Sequence, residues 1–263
     1  MIEFTTVDGS ARYYHEQPNP GVLKVMEKPA AILFDMDDTI VAWDMVADRS
    51  WRKTCDNIAP QISGLDAGTL YSTINHFREW YLGNMERHQF ARLNLPAYRR
   101  EIVAMAFEHL GLKGDGLVER VAEDYGAERE KSAYLLPGAL ETLQYLKGQG
   151  IKLALVSNGM SDGQWRKVNR FNLEPLFDCI LIEGDFGTGK PEGRVFQHVL
   201  GKLNVKAGNT WMVGDNLHFD IGGGQAAGLY TIWVDWQGLG LPETAPVRPD
   251  RIVHSIAELR EQI

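Results

Sequence analysis

Short apolar runs at 32–34, 152–156, 179–182, 210–213 and 230–234 punctuate the chain. Runs of this length, bounded by breakers, fit strands buried on both faces. Helical periodicity fills the spaces between the last four, at 139–147, 163–170, 194–203 and 220–227. Pro137 near the start of the first such helix and Gly148 or Gly150 near its end match the usual asymmetry of helix termini. Strand and helix alternating every ~25–30 residues predict right-handed crossovers and a parallel sheet. The rhythm breaks between 44 and 130, where helical patterns at 45–58, 67–82, 96–110 and 116–125 replace any strand-like run. That stretch is too long for a loop and reads as an inserted helical unit. Its aromatics Trp51, Phe77, Trp80, Tyr81, Phe90, Tyr98 and Phe107 recur at helical spacing and are expected to form its own core.

The expected fold class is α/β, a doubly wound parallel-sheet core over 1–43 and 131–263 with an inserted α-helical cap over 44–130. Residues 1–28 stand apart. Runs at 4–7 and 11–14 flank Asp8-Gly9, a dipeptide suited to a tight hairpin turn, and Pro18 and Pro20 then interrupt any regular element. A small β-hairpin added to the main sheet is expected here.

Composition narrows the picture without changing it. With 44% apolar and 24% charged residues, the chain has an ordinary globular make-up. A net charge of −8 argues against a nucleic-acid partner. It leaves room for a small phosphorylated metabolite, because a bound metal ion reverses the local field. Cys55 and Cys179 are far apart and lack a C-x-x-C companion, so neither a disulfide framework nor a zinc site is expected and a cytoplasmic setting is the default. No apolar run approaches membrane-spanning length, and no basic-then-apolar leader opens the chain, so no membrane partner is expected. A monomer or a homodimer fits equally well.

The candidate chemistry lies at the strand ends. The run ending at Phe34 delivers Asp35 and Asp37, with Thr39 two residues on; the later runs lead to Ser157-Asn158-Gly159, to Lys190-Pro191, and to Gly214-Asp215-Asn216 followed by Asp220. In a parallel sheet these ends share one edge, the edge at which open α/β sheets bind ligands. Paired carboxylates there suit a hard cation and an attacking oxygen. Singly each residue has a plainer reading: Asp38 or Thr39 as a helix cap, Ser157-Asn158-Gly159 as a turn, Lys190 as a surface lysine, Asp215 as a cap. Their convergence at successive strand ends is what argues for function.

Other signals carry less. The stretch 184–190 matches a phosphate-binding P-loop up to its last position, where Pro191 stands in place of Ser or Thr. Gly222-Gly223-Gly224 follows Asp220 and not a strand, so close helix packing explains it better than a dinucleotide site. His218 lies within the last motif loop, and no histidine has metal-ligand spacing. Arg87, Arg92, Arg99 and Arg100 read as a solvated face of the insertion, with substrate contact as the alternative.

The motifs Asp35-Met36-Asp37-Asp38-Thr39, Ser157, Gly189-Lys190-Pro191-Glu192 and Gly214-Asp215 with Asp220 resemble, in order, those of the haloacid dehalogenase superfamily of phosphohydrolases. The resemblance runs from about Ala31 to Val234 and includes Leu136-Pro137-Gly138 and Ala226-Ala227-Gly228-Leu229. It implies Asp35 as nucleophile, Asp37 as general acid and base, and Ser157 and Lys190 on the phosphoryl group, with Asn158 and Thr39 supporting or touching it. It implies Mg²⁺ held by Asp35, the main-chain carbonyl of Asp37 and Asp215, with Asp220 holding a bound water or orienting Lys190. The insertion resembles a cap domain. Asp38 stands where the family most often has Gly. The acid at Asp37 disfavours dehalogenation, since true dehalogenases of the family lack it. The implied activity is Mg²⁺-dependent hydrolysis of small phosphate monoesters. A phosphotransferase or sugar-phosphate mutase of the same superfamily, or a non-catalytic scaffold on the same fold, are the alternatives.

Overall fold

The computed structural model describes residues 3–5, 11–13, 28–114 and 116–263. Its centre is a six-stranded sheet built from β3 (Ala31–Phe34), β6 (Lys152–Ser157), β7 (Cys179–Ile182), β8 (Thr210–Gly214), β9 (Tyr230–Val234) and β10 (Arg251–Val253), in the order β10-β9-β8-β3-β6-β7. Every pairing in it is parallel. Strand β3 is central, with Phe34 opposite Leu155 on one side and Val213 on the other.

The period-two alternation of strand side chains divides the core into two layers. Ile32, Phe34, Leu153, Leu155, Val213 and Ile232 face Leu143 and Leu146 of α6 (Ala139–Gly148) and Val168 of α7 (Ser161–Arg170). Leu33, Ala154, Val156 and Met212 face Val195, Phe196 and Val199 of α9 (Gly193–Leu203). Strands covered on both faces read as continuous apolar runs, which is why their ends were legible.

Between β3 and β6 lie α1 (Ala47–Ile58), α2 (Ala67–Leu82), α3 (Met85–Leu93), α4 (Leu95–His109) and α5 (Leu117–Ser132). They bury an apolar cluster of their own around Trp51, Leu70, Ile74, Ile102, Phe107 and Val121. Of the aromatics expected in that core, Trp80 and Phe90 are exposed instead. A short antiparallel ribbon, β4 (Val41–Ala42) with β5 (Tyr134–Leu135), ties together the two chain passages leading into and out of the helices.

Some elements differ from expectation. Helix α3 was not anticipated because it is largely polar and buries only Ala91. Helix α5 runs through Gly126 to Ser132, past the expected end near Tyr125. Gly126 does not stop it; a Cβ there would lie 2.5 Å from Nη1 of Arg99, which crosses the helix at that point. In place of one helix over 220–227, a π-helical turn at Leu217–Gly222 leads into α10 (Gly223–Ala226). Strand β10 sits at the sheet edge with Arg251 and Ile252 exposed, so no apolar run announces it. The N-terminal strands β1 (Glu3–Thr5) and β2 (Ala11–Tyr13) pair antiparallel with Phe4 opposite Arg12, while the expected Asp8-Gly9 turn lies outside the described residues. They form a separate two-stranded sheet and do not extend the main one as expected; three-residue strands offer few ladder bonds with which to extend an edge.

Candidate active site

Four strand ends of the parallel sheet meet at one edge. The backbone N–H of Asp35 donates to the Val213 carbonyl at 2.9 Å, carrying the β3–β8 ladder one residue past the strand and fixing where the first carboxylate starts. Oxygens of Asp35, Asp215 and Asp220 all lie within 4.8 Å of one another. The Lys190 ammonium stands among them, 2.6 Å from Asp35 Oδ1 and 2.7 Å from Asp220 Oδ1. Lys190 is 1% exposed. Burial alone would lower its pKa, but the Asp220 and Asp35 carboxylates outweigh burial and hold it above the usual lysine range.

The local sequence makes this packing possible. A Cβ on Gly214 would lie 2.3 Å from Asp220 Oδ2, so only glycine lets the Asp220 carboxylate tuck under the end of β8. The Asn158 side chain clasps Lys190 by its main chain, accepting from its N–H at 2.7 Å and donating to its carbonyl at 2.8 Å. The Asn158 carboxamide is thus occupied in placing Lys190, and Asn158 also lines the cavity over the site. Thr39 is buried, its hydroxyl has no hydrogen-bond partner among the described residues, and it does not line the cavity over the site.

Asp37 is gripped from α7, a helix expected over 163–170, by two side chains that sequence reasoning passed over. Gln164 Nε2 donates to Asp37 Oδ2 at 3.0 Å and to the Ser157 hydroxyl at 2.9 Å. The Lys167 ammonium donates to Asp37 Oδ1 and lies 4.1 Å over the Trp43 ring. Burial lowers the Lys167 pKa, and Asp37 opposes the shift. A signal was available: Gln164 and Lys167 share the buried face of α7 with Val168, and polar side chains on a core-facing stripe need partners.

Desolvation dominates Asp35 and Asp215. It raises Asp35 to about 7, with Lys190 opposing and Asp220 and Asp37 adding to the rise. It also raises Asp215 well above the ordinary range, with Asp35 and Asp220 contributing. Asp215 has no ion-pair partner among the described residues. An all-oxygen, carboxylate-rich cluster with one cation for three acids fits a hard divalent ion. Asp37 is not part of that cluster.

Asp38 takes a left-handed backbone, φ +58°, which Asp tolerates better than most residues. Its carboxylate accepts from the N–H groups of Trp43 at 2.7 Å and Met45 at 3.1 Å. The side chain that replaces the family's usual glycine therefore pins the passage into the helical insertion.

A cavity of about 440 Å³ opens over these groups. It is lined by Asp35, Asp37, Lys190, Asp215 and Asp220 from the core and by residues of α2 to α5 from the insertion. Helix α3 closes one side: Arg92 binds Glu183 with two donors at 2.9 and 2.7 Å, and the Met160 N–H donates to the Arg92 carbonyl at 3.2 Å. Glu183 opens the short helix α8 (Glu183–Phe186), is 2% exposed, and also accepts from the Gly159 N–H at 2.9 Å. Of the four arginines singled out in the sequence, Arg92 lines the cavity; Arg87 is occupied by the Trp80 and Tyr81 carbonyls, and Arg99 and Arg100 lie elsewhere. Arg78 and Arg129, which no sequence signal singled out, also line it, as does His88, which stacks on Phe219. His218 is exposed and does not. No helix among the described residues is long and apolar enough to cross a membrane.

A family model described as haloacid dehalogenase-like hydrolase matches residues 29–228. The glyceraldehyde 3-phosphate phosphatase of Pyrococcus abyssi is 28% identical over 207 residues, covering 77% of this chain and 79% of that protein. The phosphoserine phosphatase of Thermus thermophilus is 34% identical over 165 residues, 62% of this chain and 64% of the relative. Among solved structures, YfnB from Bacillus subtilis, determined bound to magnesium, superposes with a TM-score of 0.68 at 24% identity, covering 89% of this chain and 98% of that one.

Proposed function

The chain belongs to the haloacid dehalogenase-like hydrolase family and is one of its phosphoric monoester hydrolases; we propose that it cleaves small phosphate monoesters in two steps through an aspartyl phosphate on Asp35. The observation that carries this reading is the division of labour between two acids lining one cavity. Asp35 lies against Lys190 and the carboxylate cluster, whereas Asp37 lies outside that cluster with both oxygens held by Gln164 and Lys167.

In the first step an Asp35 carboxylate oxygen attacks phosphorus and the ester P–O bond breaks. Asp37 gives its proton to the departing oxygen. In the second, Asp37 takes a proton from water as that water attacks phosphorus, and the bond from phosphorus to Asp35 breaks to release inorganic phosphate. Lys190 and the Gly159 loop neutralise and orient the phosphoryl oxygens. Mg²⁺, held by Asp35 and Asp215 with Asp220 beside them, would supply charge against the incoming dianion. The helical insertion acts as a cap that keeps bulk water from the acyl phosphate.

The test is a panel of phosphate monoesters assayed with and without Mg²⁺. Wild type releases phosphate only with the metal, and Asp35→Asn loses turnover while keeping its thermal melt. Appreciable residual activity in purified Asp35→Asn would remove Asp35 as nucleophile. Phosphate release without any acceptor sugar separates hydrolysis from the mutase reading, and any Mg²⁺-dependent turnover excludes a scaffold.

A further inference from the structure

We infer that the alcohol half of the substrate carries a second anionic group, a carboxylate or a phosphate, bound at the insertion end of the cavity by Arg78 together with the hydroxyls of Tyr98 and Tyr125. This rests on the phosphatase reading above and adds the chemical class of the leaving group.

The first ground is the pairing of the cavity's cations. Lys190 faces Asp35 and Asp220, Lys167 faces Asp37, Arg92 faces Glu183, and Arg129 faces Asp44. Arg78 lines the same cavity and has no ion-pair partner among the described residues. It belongs to α2 of the insertion and pairs with none of Asp35, Asp37, Asp215 and Asp220; Lys190 already serves Asp35 and Asp220, and Lys167 serves Asp37.

The second ground is independent of charge. Tyr98 and Tyr125 are 6% and 2% exposed, both line the cavity, and neither hydroxyl has a hydrogen-bond partner among the described residues. Neither hydroxyl is among the fully buried unpartnered atoms, so each keeps access to cavity water and would need a new partner once a ligand displaces it. Burial raises the Tyr98 pKa, Tyr125 adds to the rise, and Arg78 and Arg129 oppose it, which puts these four groups in one electrostatic neighbourhood.

Donors thus gather at this end with few acceptors to meet them. Two acids stand near: Asp44 is taken by Arg129, and Asp48, whose pKa Arg78 helps to lower, is held by the Tyr71 hydroxyl and Arg52; the side chains of Ala47, Leu82 and Leu95 offer no acceptor. A neutral alcohol would leave Arg78 unpaired when the ligand displaces its water. A carboxylate or phosphate would satisfy the guanidinium and both phenols at once. The cavity, about 440 Å³, lies within the range of small-molecule sites and holds more than a phosphoryl group.

Matched esters differing in that one group test the inference. Phosphoglycolate is compared with 2-hydroxyethyl phosphate, 3-phosphoglycerate with glycerol 3-phosphate, and fructose 1,6-bisphosphate with fructose 6-phosphate. Two carboxylate pairs and one phosphate pair separate the two sources of charge. At least one pair should favour the anionic member by about ten- to a hundredfold in kcat/KM, the scale of a charge-assisted contact. In Arg78→Met that ratio should fall towards one through KM, and Arg78→Lys should keep part of it. Arg78 is half-exposed, and a thermal melt checks that each variant folds. A wild-type ratio at or below one in every pair, or a ratio that Arg78→Met leaves unmoved, overturns the inference while leaving the phosphatase reading intact. Absence of Mg²⁺-dependent turnover on all esters, p-nitrophenyl phosphate included, overturns both.

Discussion

Stability of the metal-free protein should fall as pH rises from about 4 to 7, and Asp35 should account for a defined share of the loss. Burial raises its carboxyl from the ordinary 3.8 to about 7, so within that window the folded state holds a proton that the unfolded chain has given up. Where the folded state binds more protons, unfolding free energy decreases with pH, and the loss is complete above the folded-state pKa. At about 1.4 kcal/mol per pH unit, a rise of roughly three units corresponds to on the order of 4 kcal/mol. Asp35→Asn removes the titrating group and keeps an oxygen for Lys190. The difference in unfolding free energy between variant and wild type should therefore grow by about that amount between pH 4 and 8. Urea denaturation across the range, without divalent ions, measures it. Saturating Mg²⁺ should flatten the wild-type curve, because a cation among the three carboxylates favours the charged forms of Asp35 and Asp215, and should stabilise more at pH 8 than at pH 5. A difference between variant and wild type that stays constant with pH would refute the desolvated site as described.

Two further outcomes rest on named contacts. Lys167→Met should slow alkyl phosphates, whose leaving oxygen needs a proton, by about ten- to a hundredfold in kcat, a fraction of a full general-acid contribution. It should slow p-nitrophenyl phosphate much less, because that leaving group departs without a proton; equal losses on both would show that Lys167 does not act through Asp37. Arg92→Met strands Glu183, 2% exposed, without its cation and should cost about 3 kcal/mol by urea denaturation. Adding Glu183→Gln should recover most of that loss, since the neutral side chain still accepts from the Gly159 N–H; a single variant within about 0.5 kcal/mol of wild type would mean that the α3 contact carries no stability.

The carboxylate-bearing edge of the sheet was legible because one chain direction and one period dictate it. A parallel strand buried on both faces must be apolar throughout, so Asp35 and Asp215 announce the points where burial ends, and right-handed crossovers bring those points together. Lys190 and Asp220 were readable for the same reason, as polar residues following strand ends. What surrounds them was harder to read. Gln164 and Lys167 sit in mid-helix, where polar residues are usually solvated, and only the packing of α7 against the sheet turns them towards Asp37.

By itself the sequence determined the layered α/β core, the placing of the helical insertion between its first two strands, and the residues at the sheet's carboxyl edge, because hydrophobic period and chain direction are local properties. Only the tertiary structure decided that Asn158 clasps Lys190, that Asp38 pins the entry to the insertion, and that Arg78, Tyr98, Tyr125 and Arg129 line one cavity with Asp35 and Asp37. Those relations depend on how α2 to α5 are rotated and docked over the sheet. A helix's own sequence says which stripe is apolar, but not which of its polar neighbours the docking will bury.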